Sequence, residues 1–176
     1  TGVDDPDDSA TDTNCDGIDG DASRAIFVHP MGDDGAVGTR QAPKRTVQAG
    51  INAANTTTKP HVYVAQGVYT DGTVTLRNGI SVYGGFSASN WSRAGAFTTT
   101  LRSNTVNSGR IIALQGSAIS LPTTVAYMSI RAMDTTSAGV STYGVHCTTC
   151  TALTLKSLLI TAGSAGAGAT GSGGST

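Results

Sequence analysis

Apolar and polar positions follow two different rhythms along this chain. Between residues 46 and 55, Val47, Ile51 and Ala54 recur at helical spacing behind Thr46, whose hydroxyl suits a helix N-cap. The spacing predicts a short helix there. Pro60 then forces extension, and residues 61–65 read as a strand. Upstream, residues 26–28 (Ile-Phe-Val) read as a first strand and residues 30–45 as a Gly/Pro/Asp-rich loop. After residue 55 the helical rhythm does not return. Short β-rich runs follow at 73–76, 80–86, 98–102, 110–115, 124–131, 144–148, 152–155 and 157–161. Turn residues such as Asp71-Gly72, Asn78-Gly79 and Gly116 separate them. Apolar and polar residues alternate within the runs, as in Val74/Leu76, Ile80/Val82 and Leu153/Leu155, so one face of each strand is expected to be buried.

Many short strands between Gly/Asn turns fit a sandwich or a solenoid. A sandwich needs hairpins, and Asn78-Gly79 is a two-residue hairpin signal. A solenoid needs an amphipathic cap over its first coil, and the helix at 46–55 stands where a cap would. The fold class expected is all-β: a right-handed parallel β-helix with a short N-terminal capping helix and an extended acidic N-terminal segment. The division expected is 1–24 for the Asp-rich segment, 25–162 for the solenoid and 163–176 for a Gly/Ser/Ala tail or insert between coils. A chain opening on Thr1 and closing in that run reads as trimmed, with any leader removed.

Charge sharpens this picture. There is no Glu, and ten of the twelve acids lie in residues 1–34 beside the single base Arg24, a net of −9. From residue 35 onward ten Lys/Arg face only Asp71 and Asp134, a net of +8. The acidic end therefore needs cations or a basic surface to fold against. The later cations are scattered singly apart from Lys44-Arg45, without interleaved aromatics, which argues against nucleic acid. No run reaches the ~18 apolar residues of a membrane-spanning helix.

Several motifs carry a resemblance. Thr46-Val-Gln-Ala-Gly-Ile-Asn-Ala-Ala54, followed by Val62-Tyr-Val-Ala-Gln-Gly-Val-Tyr69, resembles the opening of pectin-lyase-like right-handed β-helices. Phe27-Val28, Gly38-Thr39 and Pro43 resemble the stretch that often precedes it. Val74-Thr-Leu-Arg-Asn-Gly-Ile-Ser-Val-Tyr-Gly-Gly-Phe86 resembles a motif of secreted and polymorphic-outer-membrane-type bacterial β-helices. The resemblance implies a secreted or cell-surface location. The segment Asp12-Thr-Asn-Cys-Asp-Gly-Ile-Asp-Gly-Asp21 is similar to Asp loops of secreted bacterial proteins and of thrombospondin type 3 repeats.

The Asp loop is the leading candidate site. Asp12, Asn14 and Asp16 stand at the first, third and fifth positions of an EF-hand-like loop, with Gly17 at the sixth. Ile18 can offer its carbonyl at the seventh, while Ser23 stands where that loop has Glu. Asp19, Asp21 or an upstream Asp must then complete the shell. A hard-oxygen set without His favours Ca²⁺. Cys147 and Cys150 form a C-x-x-C in strand-like sequence, which fits a local disulfide, free thiols or a metal clip. Cys15 stands alone. Trp91 and Arg93 follow the Gly-Gly-Phe motif and suit either a sugar contact or a cover for the solenoid flank. The resemblance implies clustered acids for lyase or hydrolase chemistry, whereas the body offers only Asp71 and Asp134, both in turn-like sequence.

The function expected is that of a Ca²⁺-stabilised structural β-helix, not an enzyme, self-associating or binding other surface proteins. The acidic end of one copy would dock on the basic body of the next to build a filament. The alternatives are a glycan-binding adhesive module, or part of a polysaccharide lyase or hydrolase.

Overall fold

A computed structural model describes residues 4–93, 98–168 and 171. Strands dominate, with one α-helix, α1 (Val47–Thr57), among the described residues. Thr46 caps α1 through its side chain, which accepts from the Ala49 amide, and Thr58 closes it in the left-handed region. The apolar stripe Val47, Ile51 and Ala54 is buried, as the helical spacing requires.

Eleven strands are described. They are β1 (Ala25–Val28), β2 (His61–Ala65), β3 (Gly67–Tyr69), β4 (Val74–Thr75), β5 (Ser81–Phe86) and β6 (Thr99–Ser103). β7 (Val106–Asn107), β8 (Arg110–Ile119), β9 (Thr123–Ala132), β10 (Ser141–Cys150) and β11 (Leu153–Thr161) follow. One curled seven-stranded sheet runs β1-β2-β5-β9-β6-β3, with β11 added beside β9. A second sheet runs β10-β8-β4. Every pairing between named strands is parallel except the short β7–β8 hairpin. The hairpin turns at Ser108-Gly109, both with positive φ, and not at Asn78-Gly79. Asn78 instead reaches across to another turn, accepting from the Ser120 and Leu121 amides at 2.9 and 2.8 Å.

Parallel register stacks like side chains into columns. Ile26, Val62, Val82, Val125 and Leu155 pair in succession across β1, β2, β5, β9 and β11. Tyr69, Leu101, Ile130 and Ile160 form a second column, and Val74, Leu114 and Val145 a third. These columns and the α1 stripe make one continuous core. α1 lies against β1, β2 and β4. At the other extreme β11 pairs only with β9, and Leu155, Leu159 and Ile160 are exposed there.

β9 meets β5 with its first half and β6 with its second. It bends at Tyr127, which has φ +61°. Gly85 (φ +79°) and Ser157 (φ +49°) make the matching bends in β5 and β11. β5 carries one extra residue at this corner, where the β2–β5 register shifts between Tyr63 and Ala65. The break between the runs at 152–155 and 157–161 is therefore a bend within one strand, not a gap between two.

One expectation changes. β1, β2 and β5 are buried on both faces rather than one. Their outward residues Phe27, Tyr63, Tyr83 and Phe86 form a second cluster with Ile18 and Trp91, so the acidic segment and the Trp91 loop cover them. Residues 162–168, within the expected tail or insert, run beside 135–140. Ser164 and Ala167 carbonyls accept from Thr135 and Gly139 amides, and the Gly166 amide donates to Val140. Residues 169–170 and 172–176 of the expected tail lie outside the described residues.

Candidate functional site

The Asp loop folds on itself through its own side chains. Asp12 accepts from the Asp16 and Gly17 amides at 3.1 and 2.7 Å. Asn14 Oδ1 accepts from the Asp16 amide at 2.9 Å. Asp16 accepts from the Ile18 and Ala22 amides at 3.2 and 2.8 Å. Short Asp and Asn side chains favour such local loops because they bond backbone groups two to four residues away. Asp12, Asn14 and Asp16 thus converge on one turn. Ile18 is buried at the edge of the aromatic cluster. Among the described residues no three His, Cys, Asp or Glu side chains gather as a metal cluster.

Asp19 and Asp21, the expected completing ligands, are engaged elsewhere. Asp21 caps a 3₁₀ turn (Ala22–Arg24), accepting from the Ser23 amide and hydroxyl. Asp19 is buried and faces Arg93, whose Nε and Nη2 both reach Asp19 Oδ2. Asp19 Oδ1 accepts from the Asp7 amide at 3.2 Å. Burial raises the Asp19 carboxyl above its ordinary value, and the Arg93 guanidinium opposes that rise.

Arg93 is the hub of a clasp. Its guanidinium lies 3.7 Å from the centre of the Tyr127 ring. The Tyr127 hydroxyl donates to Asp8 at 2.7 Å, and Lys156 pairs with the same carboxylate at 2.9 Å. The Tyr127 hydrogen bond and Lys156 hold the Asp8 carboxyl below its ordinary value. Asp5 lies 3.4 Å from Arg24 and 3.5 Å from His61, and Arg40 pairs with Asp16 at 3.0 Å. The strap backbone sits on the Tyr63 ring at Gly20, where any Cβ would strike the ring. The Asp21 amide donates to the Tyr63 hydroxyl at 3.0 Å. Burial pushes that hydroxyl far up.

These contacts are made within one chain. The acidic segment leads through Ala22–Arg24 straight into β1. Within the chain, the acidic segment docks on the chain's own body. Trp91 and Arg93 are buried too, Trp91 meeting Phe27 edge to face at 4.8 Å. They cover the flank; neither presents a free face to a sugar.

The two body acids have local work. Asp71 accepts from the Val47 and Gln48 amides at the start of α1, at 2.6 and 3.3 Å. Burial raises its carboxyl, against those amides. Asp134 accepts from the Ser164 amide at 2.7 Å. Cys147 and Cys150 are joined as a disulfide within β10, and Cys15 is an exposed free thiol. No sequence pattern assigns a role to Asp34, which ties the 30–45 loop to the Arg45 and Thr46 amides, or to Tyr127, and His61, which reads from sequence as a surface residue opening a strand, is buried. Outward aromatics at Phe27, Tyr63 and Tyr83 were the available signal for a covered face.

No protein-family model, curated protein or solved structure matches this chain. No helix among the described residues is long and apolar enough to cross a membrane.

Removing one member of a buried ion pair strands the other charge, at a cost of roughly 3–5 kcal/mol. Arg93→Met is therefore expected to lower stability by about that amount in urea titrations. Asp19→Asn in the same chain should recover part of the loss. Additive losses would mean that the two side chains do not act as a pair.

Burial lowers His61 below its ordinary value, with Asp5 opposing. The unfolded chain then takes up this proton first as pH falls. The stability His61 contributes is complete above its ordinary value of about 6.5 and shrinks as pH drops below it. Denaturation midpoints at pH 7.5, 6.5 and 5.5 (round values spanning about one unit either side of that pKa) should fall in wild type. His61→Gln should flatten that decline, and an equal decline in both proteins would refute the assignment.

Proposed function

We propose that this chain is a segment of a secreted or cell-surface right-handed parallel β-helix, resembling the pectin-lyase-like bacterial proteins. Its role is structural: a rigid scaffold whose acidic N-terminal segment is a Ca²⁺-binding clasp. The single observation that carries the reading is the in-register column Ile26–Val62–Val82–Val125–Leu155. Such a stack is what successive coils of a solenoid would produce, with α1 against its first strands and an unpaired edge at β11.

The calcium reading rests on the donors at the Asp loop. Asp12, Asn14 and Asp16 already converge, and the Ile18 carbonyl lies in the same turn. Asp19 and Asp21 would have to exchange their present partners, Arg93 and the 3₁₀ turn, to join the expected shell, as Asp16 would exchange Arg40. Water and upstream carboxylates would complete the six to eight oxygens that Ca²⁺ takes. Two observations favour the scaffold over the other readings. Trp91 and Arg93, the candidate glycan contacts, are buried in the clasp. Asp71 and Asp134 each hold backbone amides.

Calorimetric titration of the 176-residue chain with Ca²⁺ should show one site. At 100-fold excess over Kd, Ca²⁺ should stabilise the fold by about 2.7 kcal/mol, roughly 5–10 °C in Tm. Asp12→Asn with Asp16→Asn should abolish both effects. Absence of heat and of any Tm shift in wild type would overturn the calcium reading.

A further inference from the structure

Away from the clasp, β3, β6, β9 and β11 present a second outward face. Alternation turns Leu101 and Ile130 inward, and Thr100, Arg102, Ser129 and Arg131 outward. Parallel pairing sets Arg102 beside Arg131, and Arg131 beside Thr161. Thr70 follows Tyr69, the partner of Leu101, and so begins the same row. Neighbouring strands stand about 4.8 Å apart, so the two arginines leave the sheet side by side. Both are exposed, and among the described residues neither has a carboxylate within ion-pair distance. Arg24, Arg40, Arg93 and Lys156 each meet an Asp instead.

Like charges directly opposite across paired strands destabilise a sheet. Two cations so placed, with no ion-paired carboxylate among the described residues, would be favoured by an external anion. A hollow of about 360 Å³ adjoins Arg102, lined by Thr70, Asn104, Met133 and Asp134. Asp134 is the one acid of that lining, and its Oδ1 accepts from the Ser164 amide at 2.7 Å. A second hollow of about 320 Å³ also reaches Thr70 and is lined by Arg45 and by Asp71, whose carboxylate is taken up by the α1 amides.

We infer that the row Thr70–Arg102–Arg131–Thr161 binds a tetrahedral oxyanion ester, a sulfate or phosphate, carried on a polysaccharide. A carboxylate offers one two-oxygen edge, which a single Arg saturates. A tetrahedral ester offers several oxygen edges and accepts from two guanidinium groups together. Hydroxyls of Thr70, Thr100, Ser129 and Thr161 surround the pair and suit sugar hydroxyls. The row carries no aromatic ring on which a nucleobase would stack, which favours a sugar chain over a single-stranded nucleic acid. This site does not involve the Asp loop, so it stands or fails independently of calcium.

The test is binding of the 176-residue chain to dextran sulfate, phosphorylated mannan, polygalacturonate, neutral dextran and single-stranded DNA at one ionic strength. The sulfated or the phosphorylated polymer should bind best, and whichever does names the ester. Arg102→Gln with Arg131→Gln should weaken that binding by about tenfold or more, the worth of a lost charged hydrogen bond. Its Tm should be unchanged or raised, because repulsion is relieved. Arg77→Gln with Arg110→Gln removes the same charge elsewhere on the exposed surface and should change binding by less than about twofold. Equal loss in the two double variants would overturn the site in favour of net charge. Tightest binding to polygalacturonate would overturn the tetrahedral ester, and tightest binding to DNA the polysaccharide. No binding to either esterified polymer would overturn the proposal outright.

Discussion

Each inward column exists because neighbouring strands pair in parallel with equivalent residues side by side. A slip of one residue would turn Val62 or Val82 outward and bring Tyr63 or Tyr83 into the interior. The interior has room for Val, Ile and Leu in rows; it does not have room for a second set of rings. The register is therefore fixed twice, by the aliphatic columns inside and by the aromatic row outside. Bends at Gly85, Tyr127 and Ser157 fall at one level and let the sheet curl without losing that register.

The same register explains the acidic segment. Phe27, Tyr63 and Tyr83 make a broad apolar outer face on β1, β2 and β5, which water alone would solvate poorly. A strap of small and acidic residues covers it. Its charges would repel one another, yet the body supplies Arg40, Arg93 and Lys156 at the right places. Three of the body's cations thus meet carboxylates of the acidic end inside one molecule. Arg93 is central because it joins three layers: strap (Asp19), loop (its own backbone bridge to Phe86) and sheet (the Tyr127 ring).

Much of the fold was legible in the sequence. The helix behind Thr46, the strand 61–65 and the parallel-compatible runs all follow from period and turn chemistry. β3 and β7 were not legible, being two or three residues long and defined by their neighbours. The double burial of β2 and β5 was hidden as well. Alternation reports that one face is apolar, whereas His61-Val-Tyr-Val-Ala65 is apolar on both, and the cover lies forty residues away in sequence. At the candidate site, Asp12, Asn14 and Asp16 were readable because their spacing is local. The fate of Asp19 was not, because it depends on Arg93, 74 residues distant.

The central claim is that residues 4–22 are an integral clasp on a parallel scaffold. Amide hydrogen exchange, resolved by mass spectrometry with Ca²⁺ and with EDTA, tests it most directly. The account predicts that amides of Asp16, Gly17, Ile18, Asp21 and Ala22 exchange far more slowly than a free peptide, and more slowly still with Ca²⁺. Free-peptide exchange across 4–22 in both conditions, beside a protected β2, would contradict it.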